Sequence, residues 1–298
     1  ATSIRVILDG DLITDHRGYK LDGDGDGQPG GMYQQTEIFG EYTLADEVPA
    51  YLWYFGCSPT AASMLAGYYD GQASYEDLIP GDASTQTDAV FETIASSGDG
   101  EYAIGSDGST MVTLTPGTPG TGHIPDYAFF DGVDDSQLGT EVEPDLSEQA
   151  VRESWGVQPH ADDSMADFLE TSWSVHGLNM GWTATSNIAP GIEEFFEAQG
   201  YTAEAQQYIM DPWLPSESVL NWEMYKDEID AGRPMLLGVD SDGDGISDHS
   251  VVGIGYDTDT GEYAMYDTWT EDVRWESWEP TQWGTPWGIS TGTTLSVS

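Results

Sequence analysis

The sequence predicts an α+β protein in which one buried helix packs against an antiparallel β-sheet. The first turn of the helix contains Cys57, the single cysteine of the chain. The sheet is predicted from the apolar run 235–239 and from two β-prone segments, 249–256 and 262–267, which a turn connects. With 298 residues, 38% of them apolar, the chain is long enough to form a substantial hydrophobic core.

The charge of the chain limits its partners. Fifty-four acidic residues stand against seven basic ones, and the formal net charge is −47. This charge repels phosphate backbones and anionic lipid surfaces, so nucleic acid is not an expected partner. No run approaches the roughly 18 apolar residues of a membrane span, so membrane insertion is not expected either. The acidic excess suits a saline, extracellular setting.

We expect a main domain over residues 48–298, with a loop-rich insertion around 71–160. An N-terminal segment, 1–47, is expected to pack on it as a strand at 3–8 followed by an acidic Gly/Asp loop. Apolar residues at helical spacing, terminal glycines and the capping residue Asn221 predict further helices. These helices are expected near 87–94, 162–173, 192–200 and 221–232.

Cys57 lies in the first turn of its predicted helix. The following Ser-Pro-Thr suits a helix start, because hydroxyl residues favour the cap and proline is tolerated in the first turn. A helix N-terminus favours the thiolate, which is the nucleophilic form of cysteine. The alternative is an inert core cysteine. A nucleophile would need a histidine and a carboxylate or amide from elsewhere in the chain.

His249 and Asp267 are the candidates for these two partners. The midpoint between them, residue 258, lies in the turn sequence DTDTG, so an antiparallel hairpin would make them near cross-strand neighbours. The Asp267 carboxylate could then orient the imidazole. Such a pair can be merely structural, but together with Cys57 it supplies a nucleophile, a base and an orienting group.

Two acidic segments have the spacing of a calcium loop, in which oxygen ligands recur at alternate positions. In the second segment the candidate ligands are Asp240, Asp242, Asp244, Asp248 and, through its carbonyl oxygen, Ile246. In the first segment they are Asp22, Asp24, Asp26 and Gln28. The first segment lacks the later ligands, so a calcium site and a solvated acidic turn remain open there. Calcium is the expected cofactor.

These segments resemble a known family. GCSPTAASMLAGYYD is similar to the cysteine-helix motif of papain-fold peptidases of the double-glycine, bacteriocin-processing type. DHSVVGIGYD and YAMYDTW are similar to the histidine and Asn/Asp segments of that family, above all to free-standing secreted bacterial members with a DGDG loop. The resemblance implies a papain-like fold with Cys57 as nucleophile, His249 as general base and acid, and Asp267 as the orienting residue.

The substrate side of the site departs from the family pattern. Papain-type enzymes place a glutamine shortly before the cysteine to donate to the oxyanion, and none of the six residues before Cys57 is a glutamine. The Cys57 backbone N–H could be one donor, with Tyr51, Trp53 or Tyr54 as the other. Tyr51, Trp53 and Trp269 are the expected substrate-binding residues, and the resemblance implies that Trp269 also shields the histidine from water.

The sequence therefore predicts a secreted, calcium-stabilised cysteine peptidase or amidase that cleaves peptide or protein substrates through a thioester. The alternative is a catalytically weak or inactive papain-fold protein with an extracellular binding, structural or self-assembling role. The missing glutamine favours this alternative, and a tryptophan-rich tail permits it. The oligomeric state is not predicted.

Overall fold

A computed structural model describes nine stretches of the chain. They are residues 2–9, 32–54, 56–75, 78–95, 102–104, 111–113, 164–171, 182–210 and 219–298. The described strands are β1 (Thr2–Asp9), β2 (Met32–Phe39), β3 (Glu41–Thr43), β4 (Tyr102–Ile104), β5 (Met111–Thr113), β6 (Ala203–Ile209), β7 (Met235–Asp240), β8 (His249–Asp257), β9 (Glu262–Tyr266), β10 (Arg274–Ser277) and β11 (Gly288–Val297). The described helices are α1 (Cys57–Asp70), α2 (Asp88–Ile94), α3 (Met165–Phe168), α4 (Thr185–Ala198) and α5 (Trp222–Asp230).

The chain divides into two compact units. The first contains Ala1–Tyr42 and Tyr256–Gly261, and the second contains Thr43–Gly255 and Glu262–Ser298. In the first unit, β1 and β2 form an antiparallel pair. The second unit carries the cysteine helix and the candidate site residues of the sheet.

Among the described residues, the central sheet has seven strands. Six follow the order β10-β9-β8-β7-β11-β6, and β3 pairs with β8. Strand β7 runs antiparallel to both β8 and β11, and its residue Val239 lies opposite His249. All six residues of β7 and the first eight of β8 are buried. His249 therefore begins a strand in the middle of the sheet, and the buried strand predicted from the apolar run is confirmed.

Helix α1 is buried along nearly its whole length. Twelve of its fourteen residues, Ser58 to Tyr69, are buried. It contacts β7 as well as the helices α2, α3 and α4. Small residues allow this close packing: a Cβ at Gly67 would collide with the Tyr51 hydroxyl. The predicted α+β arrangement, with a buried cysteine helix on an antiparallel sheet, is confirmed.

The other helices follow the sequence signals in part. Asn221 caps α5 by accepting a hydrogen bond from the N–H of Met224, as its position predicts. Helix α4 begins at Thr185, seven residues before the predicted start, and Pro190 lies inside it. Gly191 is needed there, because a Cβ would collide with the carbonyl oxygen of Phe168. Among the described residues, no helix has the length and apolar character that crossing a bilayer requires.

Candidate active site

Cys57 is the first residue of α1. The preceding Gly56 has φ 145° and ψ 141° and provides no side-chain cap, so the hydroxyl cap expected from the sequence is not formed. Instead, the Thr60 hydroxyl donates to the Gly56 carbonyl at 2.7 Å and accepts from the N–H of Tyr54 at 3.0 Å. Thr60 thus fixes the segment before the cysteine from within the first turn. The positive φ at position 56 favours glycine.

The thiol of Cys57 is hydrogen-bonded to His249, the first residue of β8. The hydroxyls of their neighbours, Ser58 and Ser250, lie 2.8 Å apart and join the same two elements. Burial alone would raise the pKa of the thiol. The hydrogen bond and charge of His249, together with hydrogen bonds from the Ser250 amide and the Ser58 hydroxyl, overcome that effect and lower the pKa of Cys57.

The environment of His249 acts in the complementary direction. Burial alone would lower the pKa of its imidazole, but the hydrogen bond and charge of Cys57 raise it. The carbonyl of Asp267 and the charge of Asp248 add to the increase, so the pKa lies above its ordinary value. Opposite shifts in a hydrogen-bonded thiol and imidazole favour the thiolate–imidazolium pair, which is the reactive form of a cysteine nucleophile.

Asp267 contacts His249 through its backbone. Nε2 of the imidazole lies 2.7 Å from the Asp267 carbonyl oxygen. The carboxylate points elsewhere: its Oδ2 accepts a hydrogen bond from Nε of Arg274 at 2.9 Å and forms an ion pair with Nη2, also at 2.9 Å. Its Oδ1 accepts from the N–H groups of Trp269 and Thr270. The expected contact between carboxylate and imidazole is therefore not made, because Arg274 and two backbone amides hold the carboxylate.

Two tryptophans cover the imidazole. The ring of Trp269 stacks on His249 with 4.3 Å between ring centroids and an interplanar angle of 24°. Trp287 meets both rings edge-on, at 6.1 Å from His249 and 5.4 Å from Trp269. The Arg274 guanidinium lies 4.4 Å from the centre of the Trp287 ring. Trp269 is 50% exposed, so one side is accessible to a substrate while the other covers the histidine.

Tyr51 is not available to a substrate in this structure. Its side chain is completely buried, and its hydroxyl donates to the carbonyl oxygen of Ala83. Burial, with smaller effects of nearby carboxylates, raises the pKa of Tyr51 well above its usual range. The sequence-based expectation for Tyr51 has to be corrected: it is a core residue, and its hydroxyl does not face the thiol.

Trp53 lies beside the site. Its side chain is partly exposed, and its backbone N–H donates to the carbonyl oxygen of Thr268 at 2.5 Å. Since Thr268 precedes Trp269, the two tryptophans come from hydrogen-bonded backbone segments. Tyr54 is buried against Phe91, with 4.7 Å between ring centroids. Trp53 and Trp269 therefore remain the candidates for substrate contact.

The acidic loop between β7 and β8 gathers three of its four aspartates. Carboxylate oxygens of Asp240, Asp242 and Asp244 lie within 4.8 Å of one another. Asp240 is buried and accepts backbone N–H groups of the loop, whereas the other two are exposed. The carboxylate of Asp248 instead accepts from the backbone and hydroxyl of Ser241, at 2.7 and 2.9 Å. Three of the predicted ligands thus converge, and Asp248 has a different role in the loop.

The other predicted ligands are Ile246, which lies in the same loop, and the four residues of the first acidic loop. Ile246 is exposed, and its N–H donates to Asp244 at 2.8 Å. The first acidic loop, with Asp22, Asp24, Asp26 and Gln28, lies outside the described residues.

Sequence reasoning missed three contributors to the site. Ser250 bonds the sulfur, Arg274 holds the Asp267 carboxylate, and Trp287 packs on the histidine. Arg274 carried a usable signal: it is one of only seven basic residues in the chain and lies seven positions after Asp267. A rare cation near a proposed acid is a candidate ion-pair partner.

A cysteine at a helix start that is hydrogen-bonded to a histidine on a packed sheet has the arrangement of a cysteine peptidase-like centre. Residues 151–285, less than half of the chain, match the model of the Peptidase_C39 like family. The match supports a C39-like cysteine peptidase fold and, at the level of the family, a cysteine peptidase-like function. It contains His249 and Asp267 but not Cys57. A search of curated proteins found no match to this chain.

Proposed function

We propose that this protein is a secreted, calcium-stabilised cysteine peptidase or amidase that cleaves peptides or proteins through a thioester. The observation that carries the proposal is that Cys57, the first residue of α1, and His249, the first residue of β8, are brought together where the hydroxyls of their neighbours Ser58 and Ser250 lie 2.8 Å apart. The interaction with His249 lowers the pKa of the thiol. The family match over the histidine segment supports a peptide or protein substrate.

In the proposed reaction, His249 holds the proton of the Cys57 thiol. The sulfur attacks the carbonyl carbon of the substrate and forms the C–S bond, and the negative charge moves to the carbonyl oxygen. The C–N bond then breaks as the imidazolium gives its proton to the leaving amine. A water molecule, deprotonated by His249, attacks the thioester and releases the acid and the free thiol.

The oxyanion would be stabilised at the start of α1. The N–H of Cys57 lies in the first turn, where backbone N–H groups have no partner within the helix. The amide of Gln86 does not serve as a second donor in this structure, because it bonds both the N–H and the carbonyl of Leu52 at 2.8 Å. Loss of one oxyanion donor lowers kcat about 10²–10³-fold. We therefore expect slow turnover.

Calcium is proposed to bind the cluster of Asp240, Asp242 and Asp244. Carboxylate oxygens are the ligands that calcium prefers, and three of them converge here. The bound ion would supply charge compensation rather than chemistry. Since the loop ends immediately before His249, the ion would stabilise the start of the strand that carries the base.

Secretion is supported by the net charge of −47 and by the resemblance to secreted peptidases. Fractionation of the producing cells would test it: we expect the protein in the culture medium, and retention in the cytosol would contradict secretion.

Peptide cleavage tests the reaction. The protein is incubated with a library of synthetic peptides, and the products are identified by mass spectrometry. Cleavage by the wild type should be lost in Cys57→Ala and His249→Ala at unchanged melting temperature. His123→Ala, which changes a histidine within the loop-rich insertion expected around 71–160, is the control and should retain activity.

An inactive binding protein is the second candidate, favoured by the missing oxyanion glutamine. An activated Cys57 thiol without cleavage of any peptide would support it against the peptidase.

A further inference from the structure

We propose that Arg274 is a positioning residue for His249, acting through Asp267, and that Asp267 orients the imidazole with its backbone carbonyl rather than with its carboxylate. This inference rests on the proposed function of Cys57 and His249. The sequence suggests that the Asp267 carboxylate contacts His249, whereas this inference assigns that contact to the Asp267 backbone carbonyl. It also gives Arg274 a role in holding His249 in place for the reaction.

The Asp267 carboxylate is fully committed to other partners. Both N–H groups that reach Oδ1, from Trp269 and Thr270, lie at 2.9 Å. Both Arg274 nitrogens that reach Oδ2 also lie at 2.9 Å. Asp267 is completely buried, and a buried carboxylate is stable only when a cation and hydrogen bonds compensate its charge. Arg274 supplies that cation, so rotation of the carboxylate towards His249 would leave the guanidinium unpaired.

The turn that begins at Asp267 contacts the active centre in three successive residues. The carbonyl of Asp267 accepts from His249, and the carbonyl of Thr268 accepts from the N–H of Trp53, four residues before Cys57. The ring of Trp269 stacks on the imidazole. Thr268 has φ 63°, a conformation that a β-branched residue rarely adopts without support from its surroundings. The turn is therefore held in place from outside.

Arg274, which supports this turn, is held in place by its own strand and by an aromatic ring. It lies on β10 opposite Met265 of β9, and its guanidinium stacks over Trp287 at 4.4 Å. Trp287 in turn packs edge-on against His249. Arg274 is therefore connected to the imidazole in two ways, through the turn that begins at Asp267 and through the Trp287 ring. A planar guanidinium can stack on a ring while its Nε–H bonds a carboxylate, whereas the compact ammonium of lysine cannot reproduce this geometry.

The chain offers a matched ion pair for comparison. Arg233 bonds Glu228 through Nε at 2.7 Å and Nη2 at 2.8 Å. Its side chain is 37% exposed, against 35% for Arg274. Arg233 lies just after the C-terminal end of α5, and its partner Glu228 lies in the last turn of that helix. Substitution of either arginine removes an ion pair with a carboxylate, and Arg274 lies in addition 3.6 Å from Glu276. Of the two, only Arg274 supports the turn beside His249.

The test compares Arg274→Gln, Arg274→Lys and Arg233→Gln with the wild type. Each protein is alkylated at Cys57 with iodoacetamide over a range of pH, and the melting temperature is measured in parallel. We expect Arg274→Gln to slow alkylation below neutral pH about tenfold or more, because displacement of the imidazole removes the partner of the thiolate. Arg274→Lys should also slow alkylation, and Arg233→Gln should leave the pH profile unchanged.

A double variant tests the route through Asp267. If the arginine acts through the carboxylate, Arg274→Gln should change the pH profile much less in an Asp267→Asn background than in the wild type. If Asp267→Asn and Arg274→Gln have independent, additive effects, that route is refuted. If Arg274→Gln does not fold, Arg274→Lys takes its place in the cycle.

The outcomes separate this inference from the proposed function. If the wild-type profile responds to His249→Ala but neither Arg274 variant alters it, the positioning role is wrong and the proposed catalytic pair stands. A wild-type rate in Arg274→Lys together with a slow Arg274→Gln would mean that the charge acts at a distance, which also overturns the positioning role. A wild-type profile that ignores His249→Ala refutes the proposed function itself.

Discussion

If calcium binds the acidic loop as proposed, its removal should destabilise the protein by an amount that can be estimated from the geometry of the three carboxylates. Three carboxylate oxygens, from Asp240, Asp242 and Asp244, lie within 4.8 Å of one another. At that distance, each pair repels by about 0.9 kcal/mol in a water-like dielectric, or about 3 kcal/mol for the three pairs together. The water-like value is appropriate because two of the three side chains are exposed. An ion at about 100 times its Kd would contribute a similar 2.7 kcal/mol.

The assay is a titration with EGTA that follows the melting temperature and the alkylation of Cys57 together. For a chain of this size, about 3 kcal/mol corresponds to a fall of about 5 °C. Asp242→Ala and Asp244→Ala should abolish the calcium response. Asp259→Ala is the matched control, because Asp257 accepts the N–H of residue 259 at 2.8 Å in the same type of exposed turn. Asp248→Ala should lower stability but retain the calcium response, because Asp248 bonds Ser241.

An unchanged melting temperature and labelling rate after verified metal removal would refute this reasoning. The acidic loop would then be a solvated turn. Loss of the calcium response in Asp248→Ala alone would place the ion nearer to the ligand set expected from the sequence than to the cluster in the structure.

Three further predictions concern single side chains. Trp269→Ala should lower kcat/KM severalfold while destabilising the protein by only about 1 kcal/mol, since the ring is 50% exposed and its inner face stacks on His249; full activity would remove its proposed role. Tyr51→Phe should lower stability by about 1–3 kcal/mol and leave turnover unchanged, because it leaves the buried Ala83 carbonyl unpaired; a loss of turnover at unchanged melting temperature would restore Tyr51 to the site. Burial alone would raise the pKa of Asp267, but its backbone and arginine hydrogen bonds lower it below its unfolded value. Its contribution to stability is therefore complete above about pH 4 and is lost as the pH falls through the folded pKa. Unfolding of Asp267→Asn by urea as a function of pH should show a shallower acid limb than the wild type, and identical limbs would contradict the lowered pKa.

The sequence was informative where one short pattern determines the backbone. Cys57 is followed by Ser-Pro-Thr and by a run of small apolar residues, and this pattern indicated a buried helix. Helix α1 begins at Cys57 and is buried from Ser58 to Tyr69. The turn signal DTDTG between two β-prone segments predicted a hairpin, and β8 and β9 flank residues 258–261. Such patterns determine which residues are buried and which strands can pair.

The directions in which side chains point could not be predicted from such short patterns. Hairpin arithmetic places Asp267 near His249, but it cannot show that Arg274 captures the carboxylate. Competition between partners depends on tertiary contacts that no local pattern encodes. The same limit applies to Asp248, which fits the calcium spacing but bonds Ser241.

Two further differences have specific physical causes. Tyr51 belongs to a segment without helical or strand periodicity, so no sequence pattern indicated that its side chain is buried near Ala83. Helix α4 extends through Pro190 and Gly191, which normally indicate a helix end. Close packing against α3 requires the glycine there.

The pH dependence of Cys57 alkylation in the wild type and in His249→Ala tests the central claim most directly. The hydrogen bond and charge of His249 lower the pKa of the thiol, so the wild type should react with iodoacetamide at a lower pH than an ordinary thiol, whose pKa is about 8.5. In His249→Ala the profile should move to higher pH, while Arg233→Gln should keep the wild-type profile. A wild-type profile that follows an ordinary thiol and does not change in His249→Ala would contradict the account.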